Sequence, residues 1–306
     1  MKHLVAKPAA LRPGDRIALV LPSGPVDPVE LSRGRKILED KGFIVDLPAA
    51  SPPFRIFAAS DQDRYQELSG VFADPGVRAV WAARGGYGMN RILPRLDAAW
   101  LRAHPKLVIG FSDATALLTH QVQRAGVAAI HGPMVAHDLV REAEKGGLRH
   151  LLEICAGRAD WQIPIPTTLR AGRAEGPVAG GCLSVLASLA GTPAAVSFAG
   201  RIALLEDHFE APQRRIDRLL IQLRQSGAFD GVRGIFFGVM HECGNEAELA
   251  ETILDCLGDL GVPIGFGAPV GHGPSHLAIP FGIATELVLA DSAGGRLLGR
   301  ESAVTG

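Results

Sequence analysis

"KLVIGFSDAT" (residues 106–115) decides how the first half of the chain is read. Leu107, Val108 and Ile109 form a continuous apolar run, as expected of a strand buried on both faces. Gly110 marks a turn. From Ala114 the pattern becomes helical, with Leu117 and Leu118 apolar and Gln121 and Gln123 polar. Strand, turn and helix in so short a stretch predict one crossover unit of an α/β sheet. Ser112 sits on the corner. Either Ser112 or Asp113 caps the following helix, or the Ser112 hydroxyl is held out above the sheet edge as a nucleophile. "GFSDA" (110–114) meets the nucleophile-elbow pattern G-x-S-x-G only in part, because Ala114 stands at the last glycine. The two roles can coexist, and these residues alone leave both open.

Working outward, the same rhythm recurs. "RIALVLPSG" (16–24) reads as strand and turn, 30–42 as a helix stopped by Gly42, and "FIVDLP" (43–48) as a second strand. A helix over 61–76 ends at Pro75-Gly76, "VRAVWAARGG" (77–86) is a third strand, and "GVAAIHGP" (126–133) a fifth. Alternating strands and helices predict a parallel sheet, Rossmann-like or flavodoxin-like, over residues 1–157. Residues 138–172 read as a helix followed by an interdomain crossover, since Pro164 and Pro166 disfavour helix. A C-terminal mixed α/β domain is expected over 170–306. Its helices fall at 212–226 and 246–261, and strands near 263–270 and 286–290 follow "GRIALLEDHFE" (200–210) and "VRGIFFGVM" (232–240).

The bulk properties exclude several classes. A chain of 306 residues, 47% apolar and 21% charged, suits two domains with a substantial core. The formal net charge of −1 gives no electrostatic case for nucleic acid or an anionic membrane. Cys155, Cys182, Cys243 and Cys256 are widely spaced and form no C-x-x-C pair, which argues against a zinc knuckle or a disulfide framework. Charges and prolines interrupt the N-terminal segment, and no stretch approaches the roughly 20 apolar residues of a membrane helix. A soluble, cytoplasmic protein is expected. "HEC" (241–243) has no second ligand pair, and His131 and His208 stand alone in the sequence, so no metal and no cofactor is expected.

Three further stretches carry chemistry-bearing residues. "AARGGYGMNRILPRLD" (82–97) places Gly85, Gly86 and Gly88 after a strand; it fits neither G-x-G-x-x-G nor a P-loop. Such a corner lets backbone amides approach a ligand oxygen, or is simply a tight turn. "ALLEDHFEAPQRRIDRLL" (203–220) holds Glu206, Asp207 and Glu210; an acid at a strand end can orient a histidine, and an acidic loop can cap the next helix. "GAPVGHGPSHLAIPFG" (267–282) offers His272, which has little local packing between Gly271 and Gly273 and can point into a cleft, and His276, which reads as structural.

In order along the chain, "RPGDRIALVLPSGPV" (12–26), "ARGGYGMNRILPRLD" (83–97), "IGFSDATALL" (109–118), "HGPM" (131–134), "ALLEDHFEAPQRRIDRLLIQL" (203–223) and "GHGPSHLAIPFG" (271–282) resemble the motifs of the LD-carboxypeptidase family of serine peptidases. That family includes muramoyl-tetrapeptide carboxypeptidase and the microcin C self-immunity peptidase. The resemblance implies Ser112 as nucleophile, Glu206 as acid and His272 as base, with the active site where the two domains meet. Backbone amides of Asp113, Gly85 and Gly86 are the oxyanion-hole and substrate-binding candidates. The implied activity is hydrolysis of an L-D peptide bond that releases a C-terminal D-amino acid, as in cytoplasmic murein tetrapeptide recycling. The implied partner is a small peptide substrate, and a homodimer is the expected assembly. Two other readings stand beside it: a microcin C-type immunity peptidase acting on a peptide-nucleotide, and a small-ligand binding protein without catalysis. Cys182 departs from the family, which often has asparagine there, and so puts local hydrogen bonding near the site in doubt.

Overall fold

The computed structural model describes residues 5–49, 51–208, 214–291 and 294–306. The chain divides into two compact units. One comprises Met1–Arg158 with Ala278–Phe281 and Ala303–Gly306; the other comprises Ala159–Leu277 with Gly282–Ser302.

In the first unit the strands are β1 (Arg16–Val20), β2 (Ile44–Asp46), β3 (Val77–Ala82), β4 (Leu107–Gly110) and β5 (Ala129–His131). β1, β3 and β4 are almost wholly buried, which is why they read as unbroken apolar runs. The sheet order is 2-1-3-4-5 with every neighbour parallel, the flavodoxin-like arrangement. A sixth strand, Ile279–Phe281, adds antiparallel to β5. Local chemistry starts the crossover helices. Asp27 accepts the amides of Val29 and Glu30 ahead of α1 (Pro28–Asp40), with Pro28 at its first position. Ser60 accepts the Asp63 amide ahead of α2 (Asp61–Ala73). The helices α3 (Met89–Ile92), α4 (Ala98–Ala103) and α5 (Thr115–His120) follow, then α6 (Asp138–Lys145) and α7 (Gly147–Cys155).

The second unit is built on β6 (Gln162–Ile165), β7 (Thr167–Arg170), β8 (Gly172–Cys182), β9 (Ile202–His208), β10 (Gly234–His241) and β11 (Ile264–Phe266). With β12 assigned to Ile279–Phe281 of the first sheet, β13 (Ala284–Ala290) and β14 (Gly294–Gly299) complete the set. This eight-stranded sheet runs 6-14-13-8-9-10-11-7. β8 to β11 are parallel and the flanking strands antiparallel, so it is mixed, as expected. The helices α8 (Leu183–Leu189), α9 (Arg214–Gln225) and α10 (Glu246–Leu257) contribute Leu186, Leu220 and Ile253 to one apolar cluster with Leu205, Phe237 and Phe266 of the sheet.

Three readings need correction. The segment 138–172 is not one helix and a crossover: it holds α6 and α7, and "IPIPTT" runs from β6 across Pro166 into β7. Pro164 is tolerated because β6 is an edge strand, where a missing N–H leaves no ladder bond unmade. The second unit therefore begins at Ala159, ahead of 170. Nor does it hold everything to 306, because β12 and the last four residues return to the first unit, where Ala10 N donates to Thr305 O at 2.9 Å. No local pattern announces such a return.

Candidate active site

Ser112 has φ of 57°, in the left-handed region that a residue with a side chain enters only under constraint. Phe111 before it is fully extended, and the short 3-10 turn Ser112–Ala114 leads into α5. The chain thus turns sharply at one residue, at the carboxyl end of β4. The Ser112 side chain caps neither the turn nor α5. It is partly exposed between buried neighbours.

Asp113 does not cap its own helix either. Its buried carboxylate accepts the Ser23 hydroxyl at 2.6 Å and the Met89 amide at 2.8 Å. One side chain thereby joins the turn after β1, the glycine corner after β3 and the serine corner after β4. Burial raises the Asp113 carboxyl above its ordinary range, against these two hydrogen bonds. Buried Arg64 braces the same loops, donating to the carbonyls of Pro22 and Gly88.

The glycine corner lies directly against the serine. A Cβ on Gly85 would come within 2.9 Å of both Cβ and Oγ of Ser112, so only glycine permits this approach. Gly86 follows at φ of 110°, beside the Gly24 backbone.

In the second unit Glu206 lies near the carboxyl end of β9, its side chain fully buried. His272 Nδ1 donates to Glu206 Oε2 at 2.7 Å, and the His272 backbone amide reaches the same oxygen at 3.2 Å. The carboxylate therefore fixes the imidazole tautomer and leaves Nε2 with its lone pair. Gly271, at φ of 97°, makes this possible, because a side chain there would run into the Glu206 carboxylate. The His272 side chain is 13% exposed. His276 is fully buried and is not the histidine that bonds the Glu206 carboxylate through Nδ1.

Asp207 lies within β9, on the opposite face from Glu206, not in a turn before the next helix. It accepts the Ser184 amide at 2.7 Å in the first turn of α8 and the His208 amide at 2.8 Å. Cys182, aligned with Glu206 across β8 and β9, directs its thiol to Asp207 Oδ1 at 3.5 Å. With cysteine in place of the expected asparagine, Asp207 supplies the hydrogen bond to the start of α8. Burial and the neighbouring Glu206 charge push the Asp207 carboxyl up to about 6. Glu210 lies outside the described residues.

His208, isolated in the sequence, is not isolated in the structure: its ring stacks on His272, centroids 4.6 Å apart. The signal that could have found it is the period of two along β9, which sets Glu206 and His208 on one face.

Family models match both halves of the chain. The LD-carboxypeptidase N-terminal domain matches residues 17–132 and the LD-carboxypeptidase C-terminal domain residues 175–287. A carboxypeptidase homologue of Streptomyces coelicolor is 40% identical over 299 residues, covering 94% of each chain. The chain belongs to the LD-carboxypeptidase family of serine peptidases. Another family member, the murein tetrapeptide carboxypeptidase of Pseudomonas aeruginosa, is 32% identical over 87% of this chain and 91% of its own. Among solved structures, the muramoyltetrapeptide carboxypeptidase of Oxalobacter formigenes superposes with a TM-score of 0.81 at 28% identity, covering 93% of this chain and 98% of that one. Among the described residues of this LD-carboxypeptidase family member, no helix is long and apolar enough to cross a membrane.

Proposed function

We propose that the protein is a serine LD-carboxypeptidase that releases the C-terminal D-amino acid, D-alanine, from murein tetrapeptide, with Ser112, His272 and Glu206 as its triad. The observation that carries this reading is the 2.7 Å bond between His272 Nδ1 and the buried Glu206 carboxylate, which presents Nε2 as a base. Ser112 supplies the complementary feature, a hydroxyl on a strained corner with no capping role. The substrate is proposed from the names of relatives that act on murein peptides.

In the proposed reaction His272 Nε2 takes the Ser112 proton as Oγ attacks the carbonyl of the L-D peptide bond. Glu206 stabilises the imidazolium that forms. The protonated His272 then delivers its proton to the leaving amine of the D-amino acid. Water, deprotonated by the same imidazole, hydrolyses the acyl-serine. Amides of Asp113 and of the Gly85–Gly86 corner are proposed as oxyanion donors. Gly85 is supported by its contact with Ser112, and loss of one such donor costs about 3 kcal/mol of transition-state stabilisation. The proposal includes a cytoplasmic location and a homodimer, checked by cell fractionation and by sedimentation.

The decisive experiment incubates purified protein with murein tetrapeptide and measures released D-alanine. Wild type should turn over, and Ser112→Ala should lose about 10⁶-fold in kcat while keeping its melting temperature. A variant that remains near wild type sinks the nucleophile. Turnover of a peptidyl-sulfamoyl nucleotide with none of tetrapeptide assigns the immunity-peptidase reading, and binding without turnover of either assigns the non-catalytic one.

A further inference from the structure

His272 is held on its edge by Glu206 and on its face by a second imidazole. The His208 ring lies over it at a centroid separation of 4.6 Å, the planes inclined by 15°. The His241 ring continues the column at 6.4 Å from His208, inclined by 12°. The strands explain the column. His208 comes two residues after Glu206 on β9, so both side chains leave the same face. His241 ends β10 in direct parallel register with His208. Glycines flank His272, so nothing in its own sequence restrains the ring.

We propose that His208 is a positioning residue for His272: it fixes the plane of the imidazole over Glu206 and shields that face of the ring from water, which opposes its protonation. The proposal rests on the assignment of His272 as the general base. A carboxylate bonded to an imidazole favours its cation, and a base already protonated cannot accept the serine proton. A second, uncharged ring stacked on its face works the other way, since it displaces water that would solvate the imidazolium. His208 itself takes up a proton less readily than an ordinary histidine, through burial and then through His272 and His241. It is therefore neutral near pH 7 and offers His272 an apolar face. Of the other titratable groups nearby, Glu206 leaves the same face of β9 as His208, Asp207 leaves the opposite face with the Cys182 thiol directed to it, and Glu242 lies 3.7 Å from His241 Nε2. Glu206 favours the charged form of His208, and the two other imidazoles disfavour it.

Two variants separate the stacked face from the titratable nitrogen. His208→Ala removes both, and His208→Phe keeps an aromatic face but not the titratable nitrogen. The pH profile of kcat/KM for D-alanine release is measured on the full chain for each. His208→Ala should lose roughly tenfold in kcat with little change in KM, since a freed ring samples unproductive orientations. Its acid limb should move up by about half a pH unit or more. His208→Phe, which keeps the stacked face, should recover most of kcat and return the acid limb toward wild type. NMR titration of the imidazole C–H resonances gives a readout that needs no activity: the His272 midpoint should rise in His208→Ala and return toward wild type in His208→Phe. An unchanged profile in His208→Ala together with an unmoved His272 midpoint overturns the proposal. His272→Ala is run in parallel. If it stays active, the base assignment has failed, whereas the NMR midpoint still reports whether the two rings are coupled.

Discussion

The Ser112 corner and the Glu206–His272 pair reach comparable order by opposite means. At the corner the decisive features lie within a few residues: a buried strand, an extended Phe111, a serine at φ of 57° and the helix that follows. Glu206 and His272 are 66 residues apart and meet only because β9 ends where a glycine lets the later loop pass over the carboxylate. Strain stored at one residue is a local property of the backbone. A long-range hydrogen bond is a property of the packing that brings its partners together. Mutations on the two sides should fail in correspondingly different ways.

After Ser112→Ala, the largest effect is expected at Glu206. Glu206→Gln keeps the side chain's size but can turn an amide N–H toward Nδ1, which reverses the imidazole tautomer. Loss of about 10⁴-fold in kcat with KM nearly unchanged is expected, as for removal of the orienting acid of a triad. Steady-state kinetics decide it. If Asp207→Asn is the dead variant and Glu206→Gln is active, the acid is the wrong carboxylate.

An intermediate effect comes from placing one methyl on each side. Gly85→Ala introduces a Cβ 2.9 Å from the Ser112 side chain without a positive φ at that position, so about 10²-fold in activity should go with little change in melting temperature. Gly271→Ala meets Glu206 and also bears φ of 97°, so it should lose activity and roughly 1–3 kcal/mol of stability together. Equal behaviour of the two in kinetics and thermal melts would break the distinction between local and long-range construction.

The smallest effect on turnover should come from Asp207, which separates the structural acid from its catalytic neighbour. Its carboxyl is raised from 3.8 to about 6, so the folded state favours the protonated form. The stability this contributes is present below about pH 4 and is lost as pH rises through about 6. The amide introduced by Asp207→Asn does not titrate. The stability advantage of wild type over this variant should therefore shrink by on the order of 2 kcal/mol across that window, with kcat within a few-fold. Denaturant melts at several pH values measure it, and a constant gap would show that Asp207 stays ionised.

Much of the first unit is legible in sequence because parallel strands buried on both faces write themselves as apolar runs, and because Gly42, Pro75-Gly76 and Gly110 punctuate them. Pro164 looks locally like a break in structure, and only its place at a sheet edge makes it compatible with a strand. Two adjacent acids, Glu206 and Asp207, look like solvated loop, whereas alternation along β9 sends one to each face. The rings that stack on His208 come from far along the chain. They belong to His272, from a loop 64 positions on, and His241, from the next strand.

Sequence alone determined the elements whose cause is local: strand runs, helix starts, and the corner that turns at Ser112. It also carried the order of motifs by which the family is recognised. Tertiary structure alone decided which residues share a face or a contact. It returned β12 to the first sheet, paired Asp113 with Ser23 and Met89, and stacked three histidines from three segments. Backbone preference and hydrophobic period act over a few residues and survive in any window of that size. Partners far apart in the chain are chosen by register and close packing, which no window contains.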